Sequence, residues 1–539
     1  MRYSLLILSA VAALYAQPPK KLLFRNPALT ATHIVFVHAG DLWTVPRQGG
    51  EATRLTTGVG SEGYPVVSPD GKLVAFEGDY DGNIDVFTVP ISGGVPKRIT
   101  WHPRPDTPLA FTPDGMRILF RSNRESISNE SRLFTVSKDG GMPVSIPLPS
   151  GEWASYSPDG KRLAYVPHAS WFTIWKKYRG GGTTPIWLAD LSDSKIEKLP
   201  RENSNDFNPI WIGDKVYFLS DRNGPFSLWS YDLKSKKVIQ AANNTGLDFK
   251  SASAGPGAIV IEQFGAILLH DLKSGTTKPV NITLSGDMAA VRPYWDKVAG
   301  KIQSAAISPT GARVAFNARG EILTAPAEKG DIRNLTNSSG VAERWPSWSP
   351  DGRSIAFFSD ESGDYQLHVA PQNGTDEVKK FNLGPSQAFY WGPRWSPDSK
   401  MILWRDSNLA ISMIDLATGK VAKVDTDTYD APQRADINPS WSPDSKWIVY
   451  TKLLKNHLRA VHVYSLDTSK ITQLSDGMSD AQHAAFDKEG KHLYFTAIYV
   501  VKAHASRYVP MSATVYRDSA KGGFGGSDHG ALAADFSLE

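Results

Sequence analysis

One tetrapeptide limits what this chain can become more than any other feature. Ser-Pro-Asp-Gly or a close variant recurs at Ser68–Gly71, Thr112–Gly115, Ser157–Gly160, Ser308–Gly311, Ser349–Gly352, Ser396–Ser399 and Ser442–Ser445, with a worn copy at Asp487–Gly490. The order of residues is that of a type I turn: Ser or Thr first, Pro fixing φ at the second position, Asp third and Gly last. Within each half of the chain successive copies stand 41 to 47 residues apart. In the copy Pro346–Phe357 an aromatic strand end, Trp348, precedes the turn, and an alternating run follows it. Ile355 and Phe357 are expected on one face of that run and Ala356 on the other. A period of about 40–45 residues with room for four short strands is one blade of a β-propeller. No helix-length apolar periodicity competes with it.

Taken in order, the repeats make two arrays. The first blade lacks the turn but keeps the strand pattern at Ile34–Val37 and Leu42–Val45, and blades two and three carry Gly-Gly hairpins at Gly93-Gly94 and Gly140-Gly141. The fourth opens at Trp153, the fifth at Asn208 and the sixth near Phe249, so a six-bladed propeller is expected over residues 24–285. The fourth blade holds an insertion from about His168 to Thr184, with Trp171, Phe172, Trp175 and Tyr178 interleaved with Lys176, Lys177 and Arg179. It is read as a blade decoration with a solvated basic face. A connector at 286–300 carries no turn motif, and a second array over 301–516 has blades starting near 302, 345, 393, 438 and 482. Five blades without a closing strand leave sheet edges open, so this second propeller reads as incomplete. Residues 517–539 read as a disordered tail, since Gly522, Gly523, Gly525 and Gly526 cluster there. The fold class is all-β, two tandem propellers of WD-type, TolB-like repeats.

Composition narrows the functional classes. The 539 residues suit two large domains, and 45 Gly with 36 Pro fit many short strands and tight turns. A formal charge of +4 over so large a surface gives no polyanion footprint, which argues against nucleic acid as partner. The absence of cysteine removes disulfides, thiolate nucleophiles and Cys-ligated metals. Met1-Arg2, the apolar run Leu5–Ala13 and Ala16-Gln17 have the layout of a secretory signal over residues 1–16, cleaved near Ala16. That run is shorter than the ~20 residues of a spanning helix, so no membrane insertion is expected once the signal is removed, and a periplasmic or secreted protein is.

No catalytic, cofactor-binding or metal-ligating residue emerges. Nucleophile elbows, zinc-helix motifs, phosphate loops and dinucleotide fingerprints are absent from the sequence. His457 and His462 are five apart on a strand pair and are expected on opposite sides. Asp425, Asp427 and Asp430, and Asp360, Glu361 and Asp364, have oxygen chemistry suited to calcium, but turn-forming Asp is the commoner reading. Ser527, Asp528 and His529 are adjacent, whereas a catalytic relay needs side chains converging from separate elements. Trp348, Trp395 and Trp441 each end the strand before a turn and are read as blade-to-blade core.

Several stretches resemble the N-terminal half of the tricorn-type serine peptidases. They are Asn205–Arg222, Gly320–Thr336, Ser359–Gly363, Asp425–Asp430 and Lys455–Leu466, and the resemblance covers about residues 24–498. It implies a six-bladed propeller followed by a seven-bladed one, here with about five blades. It also implies a role in proteolysis: propellers that filter and conduct peptides, with a PDZ domain and catalytic domains further along the chain. None of the family's catalytic positions has a counterpart here, so the isolated chain is expected to be inactive as a hydrolase. The partners implied are peptides or unfolded polypeptide segments, and the family's oligomeric cages imply a homo-oligomer. Two rivals share the turn: a stand-alone periplasmic TolB-like scaffold, and the propeller cap of a dipeptidyl-peptidase-type hydrolase. The double array disfavours both.

Overall fold

A computed structural model describes residues 22–170, 178–244, 246–285, 295–338, 340–384, 388–430, 437–498, 514–516 and 531–534. Each recurring tetrapeptide closes as its chemistry requires. In Ser349–Gly352 the Gly352 N–H donates to the Ser349 carbonyl at 2.9 Å, and the Ser349 hydroxyl donates to Asp351 Oδ1 at 2.5 Å. Asp351 Oδ1 also accepts from Arg353 N at 3.0 Å. Gly352 has φ of 71°, the left-handed residue that lets strands resume after a type I turn. Ser399 and Ser445 hold φ of 60° and 62° in the two copies without Gly. In both, the hydroxyl accepts a backbone N–H of the preceding blade: Asp351 N at 3.3 Å for Ser399 and Asp398 N at 3.2 Å for Ser445.

The chain divides into two compact units, residues 1–294 and 295–539. In the first, six sheets follow one another in sequence. Blade 1 is built from Arg25–Leu29, His33–His38, Asp41–Pro46 and Gly50–Arg54, and the remaining five blades repeat this antiparallel order. Its second strand is buried along almost its whole length, whereas its outermost strand is exposed at four of five positions. Blades stacked face to face cover both sides of their middle strands, which is why these read as continuous apolar runs. Six mixed cores join neighbouring blades in turn. The last of them packs Leu29, Ile34 and Phe36 of blade 1 against Ala258, Val260 and Ile267 of blade 6, so the ring is closed. A strand after blade 6, Ile282–Leu284, runs parallel to Gly50–Arg54 and latches the circle.

In the second unit five sheets begin at Ile302, Glu343, Tyr390, Ser440 and Asp480. Alternation divides Ser354–Ser359 as expected, with a refinement. Ile355 and Phe357 face the first sheet of this unit, while Ala356 and Phe358 face the third, so all four are buried. The cores join the five sheets pairwise, and among the described residues none joins the fifth back to the first. One sequence expectation is corrected in part. Ala531–Ala534, expected within a disordered tail, pairs antiparallel with Leu493–Ile498 as the third strand of the fifth sheet, and Thr514–Tyr516 is the fourth. The rest of 517–539 and residues 1–16, where a secretory signal is expected, lie outside the described residues. Among the described residues at the end of the connector, Ala299–Lys301 forms a helical turn.

Candidate functional site

The first strand of every blade in the first unit is the edge of its sheet, and these six strands surround the ring axis. A cavity of about 500 Å³ lies there, lined by Asn26-Pro27, Tyr64–Val67, Pro108–Phe111, Trp153–Ser157, Asn208–Gly213 and Ser251–Ala254, together with the turn residues Pro69, Pro113 and Pro158. Proline cannot donate to a ladder, so it belongs on such an edge. Pro27, Pro65, Pro108 and Pro209 all occupy it. Each lies at a slip in register against the second strand. At three of these bulges the residue before Pro is left-handed: Asn26, Tyr64 and Asn208 have φ of 46°, 46° and 52°. A bulge re-aims its side chain, and here it ties neighbouring blades together. Asn208 Nδ2 donates to the Ala252 carbonyl at 2.9 Å while its Oδ1 accepts Ala252 N–H at 2.8 Å. Trp211 N donates to Ser155 Oγ at 3.0 Å, and Asn26 N to Glu262 Oε2 at 2.8 Å.

Away from the turn prolines the channel meets an aromatic arc. The rings of Tyr64 in blade 2 and Trp153 in blade 4 are 6.1 Å apart, reaching past blade 3. Phe207 of blade 5 lies 6.3 Å from Trp153. Arg121 of blade 3 places its guanidinium 5.7 Å from the Tyr64 ring and 5.5 Å from that of Trp153, within cation–π range. Its charge is met by Glu152 at 3.0 Å. Nearby, burial pushes the Glu77 carboxyl up against the opposing pull of a Thr107 hydroxyl at 2.9 Å and of Arg121 and Arg25. Tyr156, on the wall, has its phenol pushed up to about 12 by burial. None of these is a nucleophile paired with a base. The arrangement can hold a chain by stacking and by its strand edges.

The residues weighed from sequence are dispersed. His462 is buried, stacked on Tyr450 with ring centroids 5.7 Å apart, and burial lowers its pKa, while His457 sits in a tight turn with φ of 61°. Asp425 accepts from Tyr450 at 2.7 Å and pairs with Lys452 at 3.1 Å. Asp427 caps Tyr429 and Leu453 N–H groups, and Asp430 pairs with Arg459 at 2.7 Å. Asp360 accepts Ala342 N–H at 2.7 Å and Glu361 pairs with Lys380 at 2.6 Å. Among the described residues no group of three or more His, Cys, Asp or Glu is placed to hold a metal ion. In the blade 4 insertion Arg179 binds Asp221 at 2.7 Å, and 171–177 lie outside the described residues, as does Ser527-Asp528-His529. The indole N–H groups of Trp348, Trp395 and Trp441 donate to carbonyls of Ala306, Ser347 and Arg394, each on the preceding blade, at 3.1, 3.0 and 3.1 Å. The lining of the channel escaped sequence reasoning, although the Pro in the inner strand of four of the six blades was a usable signal.

Two family models cover most of the chain. Residues 21–276 match the family model of the tricorn protease N-terminal beta propeller domain, and residues 302–500 that of the tricorn protease second beta propeller domain. The tricorn protease homolog of Saccharolobus solfataricus is 22% identical over 483 residues, covering 88% of this chain and 43% of that protein. Tricorn protease homolog 1 of Streptomyces coelicolor is 25% identical over 499 residues, covering 89% of this chain and 45% of that protein. The crystal structure of the tricorn protease superposes with a TM-score of 0.45 at 21% identity, over 88% of this chain and 47% of that one. This chain thus spans somewhat under half the length of these relatives.

Proposed function

The chain belongs to the tricorn protease family by its first and second β-propeller domains, and from that membership we propose that these propellers admit, hold and sort peptides for a serine-type peptidase whose cutting groups lie outside them. The observation that carries this reading is the closed six-bladed ring around an axial cavity walled by the inner strands of all six blades. A ring of edge strands can take up an extended chain through its backbone without reacting with it. A leader at residues 1–16 would set this work in the periplasm or outside the cell.

The test is direct. The purified 539-residue protein should retain fluorescent peptides and unfolded polypeptide segments while leaving fluorogenic peptides uncut. Failure to retain any peptide, or turnover at enzyme-like rates by a clean preparation, sinks the proposal. Expression in a Gram-negative host with N-terminal sequencing of the periplasmic form checks export: processing after Ala16 is expected, and an intact N-terminus in the cytoplasm argues against it. Light scattering reports the self-association implied by the family.

A further inference from the structure

The channel wall carries an electrostatic statement of its own. Twenty-eight residues line the cavity of the first propeller, and among the described residues none of them is Asp, Glu, Lys, Arg or His. A side chain charge drawn against such a wall gives up hydration and finds no counter-ion among the lining residues. The inner strands are sheet edges, so each turns a row of backbone groups that its own ladder does not use toward the axis; of these, Asn26 N, Trp211 N and both backbone groups of Ala252 are taken by side chains of neighbouring blades. Pro27, Pro65, Pro108 and Pro209 remove donors from that row, leaving it richer in carbonyl acceptors. At the end away from the turns the Tyr64–Trp153–Phe207 arc offers ring faces. Of the cations near that end, Arg121 is already paired with Glu152 at 3.0 Å and lies within cation–π range of both rings, and Arg25 stands close enough to pull the Glu77 carboxyl down. Tyr64 is held left-handed at the bulge, an unfavourable conformation for a bulky residue that places its ring against Trp153 from across blade 3.

We propose that this channel selects an uncharged, extended peptide segment, its N–H groups bonded to the inner-strand carbonyls and an apolar or aromatic side chain stacked on Tyr64 and Trp153. The inference rests on the peptide-handling reading above and narrows it to a ligand class.

The experiment uses the whole protein and short peptides with acetylated and amidated ends, each carrying a central benzophenone. One peptide is neutral, with Ala, Leu, Tyr and Pro; others carry Lys or Asp flanking the probe, and one more keeps a free C-terminal carboxylate in place of the amide. Affinity is read by anisotropy, and photo-crosslinks are mapped by mass spectrometry. The neutral peptide is expected to bind at least about tenfold more tightly than the charged ones, a difference of about 1.4 kcal/mol. Its crosslinks should fall on the inner strands, and Trp153→Ala should weaken it. Ser253→Asp, which sets one carboxylate on the wall, should raise the affinity of the Lys peptide, so the inference stays testable even where Trp153→Ala does not fold. Equal affinity for neutral and charged peptides, a preference for the free carboxylate, or crosslinks elsewhere overturn the inference and leave the peptide-handling reading standing. No binding by any peptide overturns both.

Discussion

Glu343 offers the sharpest prediction. At interfaces between successive blades a buried acid opens an inner strand and an Arg two residues past a Ser answers it: Asp106 with Ser122 and Arg124, and Asp206 with Ser220 and Arg222. At the same spacing Ser359 is followed by Glu361, so Glu343 has no such cation. The second Arg of the pattern is also gone. Arg54 pairs with Asp41 at 2.5 Å and Arg98 with Asp85, but Asn334 stands where they would, beside Glu321. Glu343 is 3% exposed; its Oε1 accepts the Ser338 hydroxyl at 2.7 Å and its Oε2 has no partner. Burial pushes its carboxyl up from 4.5 to about 7, with the charges of Glu321 and Asp360 adding to the rise against the Ser338 and Thr336 hydroxyls. A carboxyl raised that far disfavours the folded state by about 3 kcal/mol once ionised. The protonated form is the one folding favours, so the contribution is complete below pH 4.5, is lost between 4.5 and about 7, and is flat above. Glu343→Gln keeps the shape and the neutral state and removes the ionisation. Denaturant titrations of the variant and the parent should differ little at pH 4.5 and favour Gln by about 1–3 kcal/mol at pH 8. The difference between the two proteins cancels titrations elsewhere. A difference that does not change with pH, or that favours Gln more in acid, refutes the reasoning.

Three further outcomes follow from the geometry. Gly49→Ala should open the latch of the first propeller, because a Cβ there would stand 2.4 Å from the Asn281 carbonyl oxygen at φ of 94°; a loss of about 2–3 kcal/mol, seen as a lower melting temperature and faster amide exchange at Ile282–Leu284, is expected. Arg222→Ala leaves Asp206, 0% exposed at its side chain and raised by burial, with only its Ser hydroxyls, and should cost about 3–5 kcal/mol by chemical denaturation, whereas the exposed pair Lys236–Glu197 should cost under about 1 kcal/mol. Trp395→Phe keeps the packing but removes the bond to the Ser347 carbonyl, so a loss of about 1–2 kcal/mol is expected in the same titration, and an unchanged midpoint would count against that bond.

Local chemistry was readable because it needs few neighbours. A Ser-Pro-Asp-Gly turn carries its own φ restraint and its own side-chain acceptor, so Ser68, Asp70 and Gly71 bond to each other wherever they stand, and the Ser68 hydroxyl holds the Asp70 carboxyl below its ordinary range. Repeating it every 41 to 47 residues gives blades, and blades imply a ring. The acidic runs were harder. Asp425, Asp427 and Asp430 look like one cluster along the chain, but the bend after Val421–Thr426 sends them to Lys452, Leu453 N–H and Arg459 in turn.

The repeat, its turns, the order of the blades and the two arrays are legible along the chain, since each depends on residues a few positions apart. Which residues face the axis is settled by folding, because Tyr64, Arg121, Trp153 and Phe207 lie on four different blades and meet when the ring closes. The same holds for the latch of Ile282–Leu284 on Gly50–Arg54, more than 200 residues apart in the chain. Periodicity fixes what each blade is, but closure brings distant edges together, and it is at those edges that the uncharged wall of the channel arises.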